Sequence, residues 1–237
     1  MKILAVSTSS NNCSVSLLED ERLIKELNIC NERTHSEKLM PLIEELFKTT
    51  NFSLDDIGLI ACDIGPGSFT GIRIGVATIK ALAVVRDIPV VGVTSLEALA
   101  YNVNTNNNIC SIIDARNNQV YAAIFDKDYN LVTENLADDV NNLKSVFEKY
   151  SPLSFVGDGA KLVTDDFNFD SNIHSLNIGI CGYKKFLSGN YCNADNLAPL
   201  YLRKSQAERQ RNGWFKYFNY DFRWLLWDRT NFYYSIW

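Results

Sequence analysis

The sequence predicts an α/β protein built of mixed sheets flanked by helices, and three observations carry that reading. Residues 2–7, 12–18 and 22–30 alternate aliphatic or β-branched side chains with small and polar ones across short polar breaks, the mark of antiparallel neighbours. Apolar runs at 57–63 and 89–93 then alternate with two helical stretches, as parallel strands joined by crossover helices do. The composition is that of an ordinary globular chain, with 46% hydrophobic and 22% charged residues among 237.

Taken in order, the three meander strands lead into a helix over 36–49. Thr34 and Glu37 have capping-box spacing, and Leu39, Ile43, Leu46 and Phe47 recur at helical period. Pro41 removes one backbone hydrogen bond, which predicts a bend or a late start. The strand at 57–63 ends at GPGSFTG, a helix follows over 72–85, and 89–93 is the next strand. The order β-β-β-α-β-α-β is that of a ribonuclease-H-like unit. Residues 96–101 read as a short helix, and 102–108, with five Asn in seven positions, as a linker. Beyond it, 109–113 and 119–126 form a second strand pair, 139–149 a helix, and 153–156 a strand before GDGA. MKILAVSTSS and NICSIIDARN head the two halves, which predicts an internal duplication: a first lobe over 1–101 and a second, smaller one over 102–212.

Charge and cysteine usage exclude several functions. With 23 Lys and Arg against 28 Asp and Glu, the net charge is -5, a poor balance for gripping nucleic acid alone. The six cysteines lie far apart with no CxxC pair, so no zinc ribbon is expected, and free thiols point to a cytoplasmic location. No membrane span and no signal peptide is expected. Residues 213–237 differ in kind: Trp, Phe and Tyr make up 12 of these 25 positions, against 28 in the whole chain. They read either as an aromatic docking segment or as an atypical, non-native end, for instance a frameshifted one.

Residues able to do chemistry are few. In DIGPGSFTGIRIG, Gly65, Gly67 and Gly71 have GxGxxxG spacing, which fits neither the dinucleotide fingerprint nor the P-loop. Two readings stay open there: a tight turn with close helix packing, or backbone N–H groups presented to an anion. His35 and His174 stand in no metal-ligand spacing, and no metal site is expected. Asp63 and Asp114 end strands where a carboxylate serves equally as a turn residue or beside a metal-nucleotide. Neither a nucleophile elbow nor a Cys-His pattern is present, so no catalytic residue is assigned. In the helix over 72–85 apolar residues surround the axis, which predicts burial on two sides, the second covered either by a layered core or, the preferred reading, by a partner helix.

MKILAVSTSS, RTHSEKLMPLIEEL, IGPGSFTGIRIGVATIKALA, TSLEALA, DARNNQVY, VGDGA and PLYLRKSQAE together resemble the TsaB (YeaZ) family, over about residues 1–212. The resemblance implies an actin-like, duplicated two-lobed fold and a noncatalytic role. Members partner the enzyme TsaD, with TsaE as an ATPase, in transferring threonylcarbamoyl from its adenylate to adenosine 37 of tRNAs reading codons that start with A. It also implies tRNA contact only through the complex and ATP or ADP only within that complex, and the apolar helix surface predicts self-association of the free chain as a homodimer. The partner-binding residues expected are Leu39, Met40, Ile43, Phe47, Gly71, Ile72, Gly75, Val76 and Ile79. Where the catalytic relative keeps His-x-x-x-His, this chain has Thr94, Ser95, Leu96, Glu97, Ala98 and Leu99. The superfamily's Asp-x-Gly turns read Ser7-Thr8-Ser9 and Asp114-Ala115-Arg116, leaving a vestigial nucleotide site at Ser7, Asp114, Gly157 and Gly159. The rival class is an autonomous actin-fold ATPase or sugar kinase.

Overall fold

A computed structural model describes residues 1–30, 35–165 and 169–203. Strands β1 (Lys2–Ser7), β2 (Asn12–Glu19) and β3 (Arg22–Cys30) form an antiparallel meander. Strands β4 (Leu59–Asp63) and β5 (Val90–Val93) extend it in parallel, giving the order β3-β2-β1-β4-β5. The second sheet holds β6 (Asn108–Asp114), β7 (Gln119–Phe125), β8 (Leu136–Asp139) and β9 (Leu153–Val156) in the order β8-β7-β6-β9, with only β9 parallel to its neighbour. In both sheets the opening strand pairs antiparallel with the next strand on one side and parallel with a later one on the other.

Alternation along β1 splits the core. Leu4 and Val6 face helices α1 (His35–Thr50) and α2 (Phe69–Arg86), where Leu39, Ile43, Leu46, Ile72, Val76 and Ile79 close the layer. Ile3 and Ala5 face the opposite way, toward α3 (Ser95–Ala100) and α5 (Ser175–Leu187), in a cluster that also takes in Ile109, Tyr121, Ala123 and Phe125 of the second sheet. The outer face of that sheet packs on Leu143 and Phe147, the latter in α4 (Lys144–Lys149).

Three differences from the sequence reading have physical causes. The first helix runs through Pro41 unbroken; its Pro is exposed, while Leu39, Leu42, Ile43 and Leu46 anchor the opposite face. The predicted Thr34 cap falls outside the described residues, as does the tail at 213–237. In place of a helix over 139–149 there is β8, then a turn, then the short α4. Asp139 Oδ1 accepts the N–H of Asn141 and the Nδ2 of Asn118, and such side-chain bonds hold the backbone in a turn. Helix α5 occupies a stretch to which the sequence reading assigns no element, and it carries two glycines, Gly179 and Gly182. A Cβ on Gly179 would lie 2.4 Å from Leu18 Cδ1, and one on Gly182 2.5 Å from the Ala61 Cβ, so these glycines let the helix sit close on the first sheet. That sheet lies wholly before the Asn-rich linker, and α5 returns to it after the second sheet is complete.

Candidate functional site

The GPGSFTG segment wraps the β1–β2 turn. A Cβ on Gly71 would stand 1.9 Å from the Thr8 carbonyl oxygen, one on Gly67 2.3 Å from that of Ser9, and one on Gly75 2.4 Å from Thr8 Oγ1. Only glycine allows backbone to meet backbone at that range. Hydrogen bonds fill the same seam: Thr8 Oγ1 donates to the Gly71 carbonyl at 2.8 Å, and the Ser68 N–H to the Ser9 carbonyl at 2.7 Å. Ser68 then caps α2 by accepting the Gly71 N–H at 3.2 Å.

Beneath the turn lies a buried carboxylate. Asp63, at the end of β4, accepts Ser7 Oγ at 2.7 Å, Ser9 Oγ at 2.5 Å, Ser95 Oγ at 2.7 Å and the Gly65 N–H at 2.9 Å. Burial pushes this carboxyl above the usual range, against the pull of those four donors. Asp63 therefore joins β1, β4, the glycine loop and the start of α3, and every hydroxyl of Ser7-Thr8-Ser9 is bound within the chain. Of the two readings of the glycine motif, turn and close packing describes its geometry.

The second turn is built differently. Asp114 Oδ1 accepts the Arg116 N–H at 2.8 Å, and Asp158 Oδ1 accepts the Asp114 N–H at 2.9 Å. Arg116, Asn117 and Asn118 stand in succession at φ 68°, 54° and 60°, a left-handed run at the exposed tip. Gly157, at φ 110°, would carry a Cβ 2.2 Å from the Ile112 carbonyl oxygen, and Gly159 one 3.0 Å from Asp114 N. The fold thus brings Asp114, Gly157 and Gly159 together and leaves Ser7 in the other turn. Here too the glycines serve close strand packing.

The expected partner-binding residues divide by burial. Leu39, Ile43, Ile72, Val76 and Ile79 are all buried in the layer between the two helices and the first sheet, and Gly71 and Gly75 are buried against Thr8. Their apolar character is already used within the chain. Met40 alone of the nine is exposed, with Phe47 half-buried. The outward face of α2 carries Arg73, Ala77, Ala81, Val84 and Val85, the last two 62% and 65% exposed. In the sequence Ala77 and Ala81 stand four apart, a spacing of small residues that allows close helix packing, and Val84 and Val85 belong to the apolar set around this helix; only the fold separates them as the outer stripe.

A charged cluster at the head of α5 also escaped notice. His174 Nε2 lies 2.7 Å from Asp170 Oδ2, and Nδ1 lies 3.5 Å from Glu26 Oε2. The Glu26 carboxylate, helped by Asp170, raises the imidazole pKa to about 9 against the effect of burial. Burial works to raise the Glu26 carboxyl, but His174, the Leu176 N–H and Ser175 bring it down to about 2. Separation in sequence hid this pairing. Among the described residues no group of His, Cys, Asp and Glu could hold a metal ion, and no helix is long and apolar enough to cross a membrane. A cavity of about 250 Å³ opens beside α3 and α5, but its Lys185 is paired with Glu97 at 2.8 Å, and its Lys184 Nζ lies 3.2 Å from the Tyr101 hydroxyl.

Fold and site together define a mixed-sheet α/β protein in which a glycine-rich loop and helix seal the first strand turn, leaving an apolar helix stripe outside. Residues 30–198 match the family described as TsaD: tRNA N6-adenosine threonylcarbamoyltransferase. The chain is 35% identical over 133 residues to the tRNA threonylcarbamoyladenosine biosynthesis protein TsaB of Escherichia coli, covering 55% of this chain and 57% of that protein. It is 34% identical over 167 residues to TsaB of Bacillus subtilis, covering 68% and 73%. A Pseudomonas aeruginosa crystal structure, described as an uncharacterized protein with similarity to peptidase YEAZ, superposes with a TM-score of 0.75 at 25% identity, over 85% of this chain and 99% of that one. The chain belongs to this family, in its TsaB (YeaZ) branch. Its match spans somewhat more than half the length of the Escherichia coli relative.

Proposed function

We propose that this chain is a noncatalytic subunit that docks a TsaD-type enzyme and holds it in its working state. The reaction served is threonylcarbamoyl transfer from its adenylate to adenosine 37 of tRNAs reading codons that start with A, with TsaE joining the complex. Family membership supplies the reaction. The observation that carries the docking role is the outer stripe of α2, where Ala77, Ala81, Val84 and Val85 lie exposed; Met40 of α1 is exposed as well. Small residues at four-residue spacing let a second helix approach closely, and exposed valines gain by being covered. The same stripe would pair two copies of the free chain as a homodimer.

The finer reading of the fold is an actin-like duplication with two lobes, divided near residue 101, supported by the matching strand orders of the two sheets. The superfamily's first nucleotide turn is occupied by the chain's own hydroxyl and carbonyl partners, which argues against an autonomous ATPase or sugar kinase. ATP or ADP then enters only within the complex, tRNA is met there too, and the setting is the cytoplasm.

The test is copurification with the TsaD-type enzyme of the same organism, using Ala77→Glu and Ala81→Glu. Both positions are exposed, so the fold survives, and each charge is expected to abolish the complex. Retained binding by both variants rejects the docking face. In the reconstituted transfer reaction, activity should require this chain, and a form stopped after Asn212 should suffice; equal activity without the chain rejects the accessory role.

A further inference from the structure

The cavity of about 250 Å³ opens where α3 and α5 meet the turn that follows β7. Its apolar wall is aromatic. Tyr101, at the end of α3, and Tyr129, in the turn, stack with ring centroids 4.2 Å apart and planes 17° from parallel, and the buried Phe125 lines the cavity as well. The Tyr129 hydroxyl donates to the Val103 carbonyl at 3.1 Å. Asp126 holds the turn by accepting the N–H groups of Asp128 and Asn130, both at 2.9 Å. The wall is thus built from the chain's own bonds before any ligand arrives.

Four charged side chains line the same space, and they divide into two kinds. Lys185 and Glu97 neutralise one another at 2.8 Å, and Lys185 Nζ also donates to the Gly92 carbonyl at 3.2 Å. Lys184 and Asp128 are held more loosely. Among the described residues Lys184 has one carboxylate in ion-pair range, Glu21 at 4.0 Å, too far for a hydrogen bond, and its ammonium donates to the Tyr101 hydroxyl at 3.2 Å. An ammonium has three donors, so capacity for a further acceptor remains. Asp128 has as its ion-pair partner the neighbouring Lys127, 3.9 Å away, and both of these side chains are more than half exposed. With the internal pair set aside, the cavity offers one cation and one anion beside an aromatic wall.

We propose that this cavity binds a free zwitterionic α-amino acid whose side chain is a ring or an apolar group of similar size. The ligand's carboxylate meets Lys184, its ammonium meets Asp128, and its side chain lies against Tyr101 and Tyr129. A ligand with only a negative charge would be opposed by Asp128, and one with only a positive charge by Lys184, so a molecule carrying both signs is the one matched at both. Size agrees, since a cavity of about 150 Å³ holds a benzene ring and the volume beyond that admits the charged head group. The proposal stands on the cavity and is independent of the docking face on α2.

Titration of the full-length chain with L-phenylalanine, followed through backbone amide NMR shifts, tests this. Phenethylamine and hydrocinnamate, which keep the ring and one charge each, are the comparison ligands. Saturable shifts should centre on the segments 97–101, 125–130 and 181–188, and each comparison ligand should bind roughly tenfold more weakly than L-phenylalanine. Lys184→Gln and Asp128→Asn should each weaken L-phenylalanine about fivefold to tenfold. Lys184→Gln should leave phenethylamine no weaker, and Asp128→Asn should leave hydrocinnamate no weaker, a crossed pattern that a merely structural role would not produce. Both side chains are about half exposed or more, so a thermal melt of each variant should match the parent; if one variant melts early, the other decides. Absence of saturable shifts up to about 20 mM L-phenylalanine, shifts centred outside the three segments, or equal binding of L-phenylalanine by parent and both variants would each overturn the proposal.

Discussion

The two strand turns that open the two sheets stand at matching places in the topology and are built in opposite ways. Ser7-Thr8-Ser9 is sealed: its hydroxyls bind Asp63 and the Gly71 carbonyl, and α2 presses on it at backbone distance. Asp114-Ala115-Arg116 ends in an exposed left-handed tip whose bonds are local. The sealed turn belongs to the core and the open one to the surface, so equivalent substitutions should differ severalfold in cost.

The largest expected effect comes from Gly71→Ala. Its Cβ would meet the Thr8 carbonyl oxygen at 1.9 Å, backbone that cannot yield, and a loss of roughly 3 kcal/mol or more should appear as a collapse of the denaturant midpoint. Gly189→Ala is the control: nothing lies within 4 Å, and its φ of 81° leaves only conformational strain, about 1 kcal/mol. Asp63→Ala comes next. Stripping the acceptor from three hydroxyls and one N–H should cost about 3 kcal/mol, whereas Asp114→Ala at the open turn should cost about 1 kcal/mol; equal losses would erase the contrast.

A pH series sharpens the picture on the opposite face of the first sheet. The His174 pKa is raised from 6.5 to about 9, so its contribution is complete below about 6.5 and disappears as pH climbs through 9. The Glu26 pKa is lowered from 4.5 to about 2, so its share is present above 4.5 and disappears as pH falls toward 2. The contribution of the Glu26–His174 pair to the unfolding free energy should be flat from about pH 4.5 to 6.5 and fall by on the order of 2 kcal/mol by pH 9.5, and His174→Gln should flatten that alkaline fall. The smallest effect is Arg116→Gly, which relieves a left-handed non-glycine residue and should stabilise by roughly 0.5 kcal/mol; a loss would mean the Arg116 side chain has a structural part at the open turn.

Much of this fold was legible. The strands at 2–7, 22–30 and 153–156 appear at the predicted bounds, because alternation against a buried face is a local property. Helix α5 lies in a stretch to which the sequence reading assigns no element; its Gly179 and Gly182 find their use only against the first sheet. The site was less legible than the fold. The apolar residues around α2 suggested a second covered side, but Ile72, Val76 and Ile79 are consumed by the chain's own core, and the stripe left outside is mainly alanine and valine. Asp63 was noticed at the end of its strand, yet its partners Ser7, Ser9 and Ser95 are joined only by the fold. Glu26 and His174 meet for the same reason, across elements that no periodicity connects.

The seating of α2 on Thr8 acts as a keyway. With Gly71 and Gly75 both pressed on one residue of the turn, the helix can neither roll about its axis nor slide along it without a clash. Its outer stripe is therefore indexed to the first sheet like type on a printing block. A subunit that docks there meets a surface already ordered, so the entropy of forming the complex falls mainly on the partner.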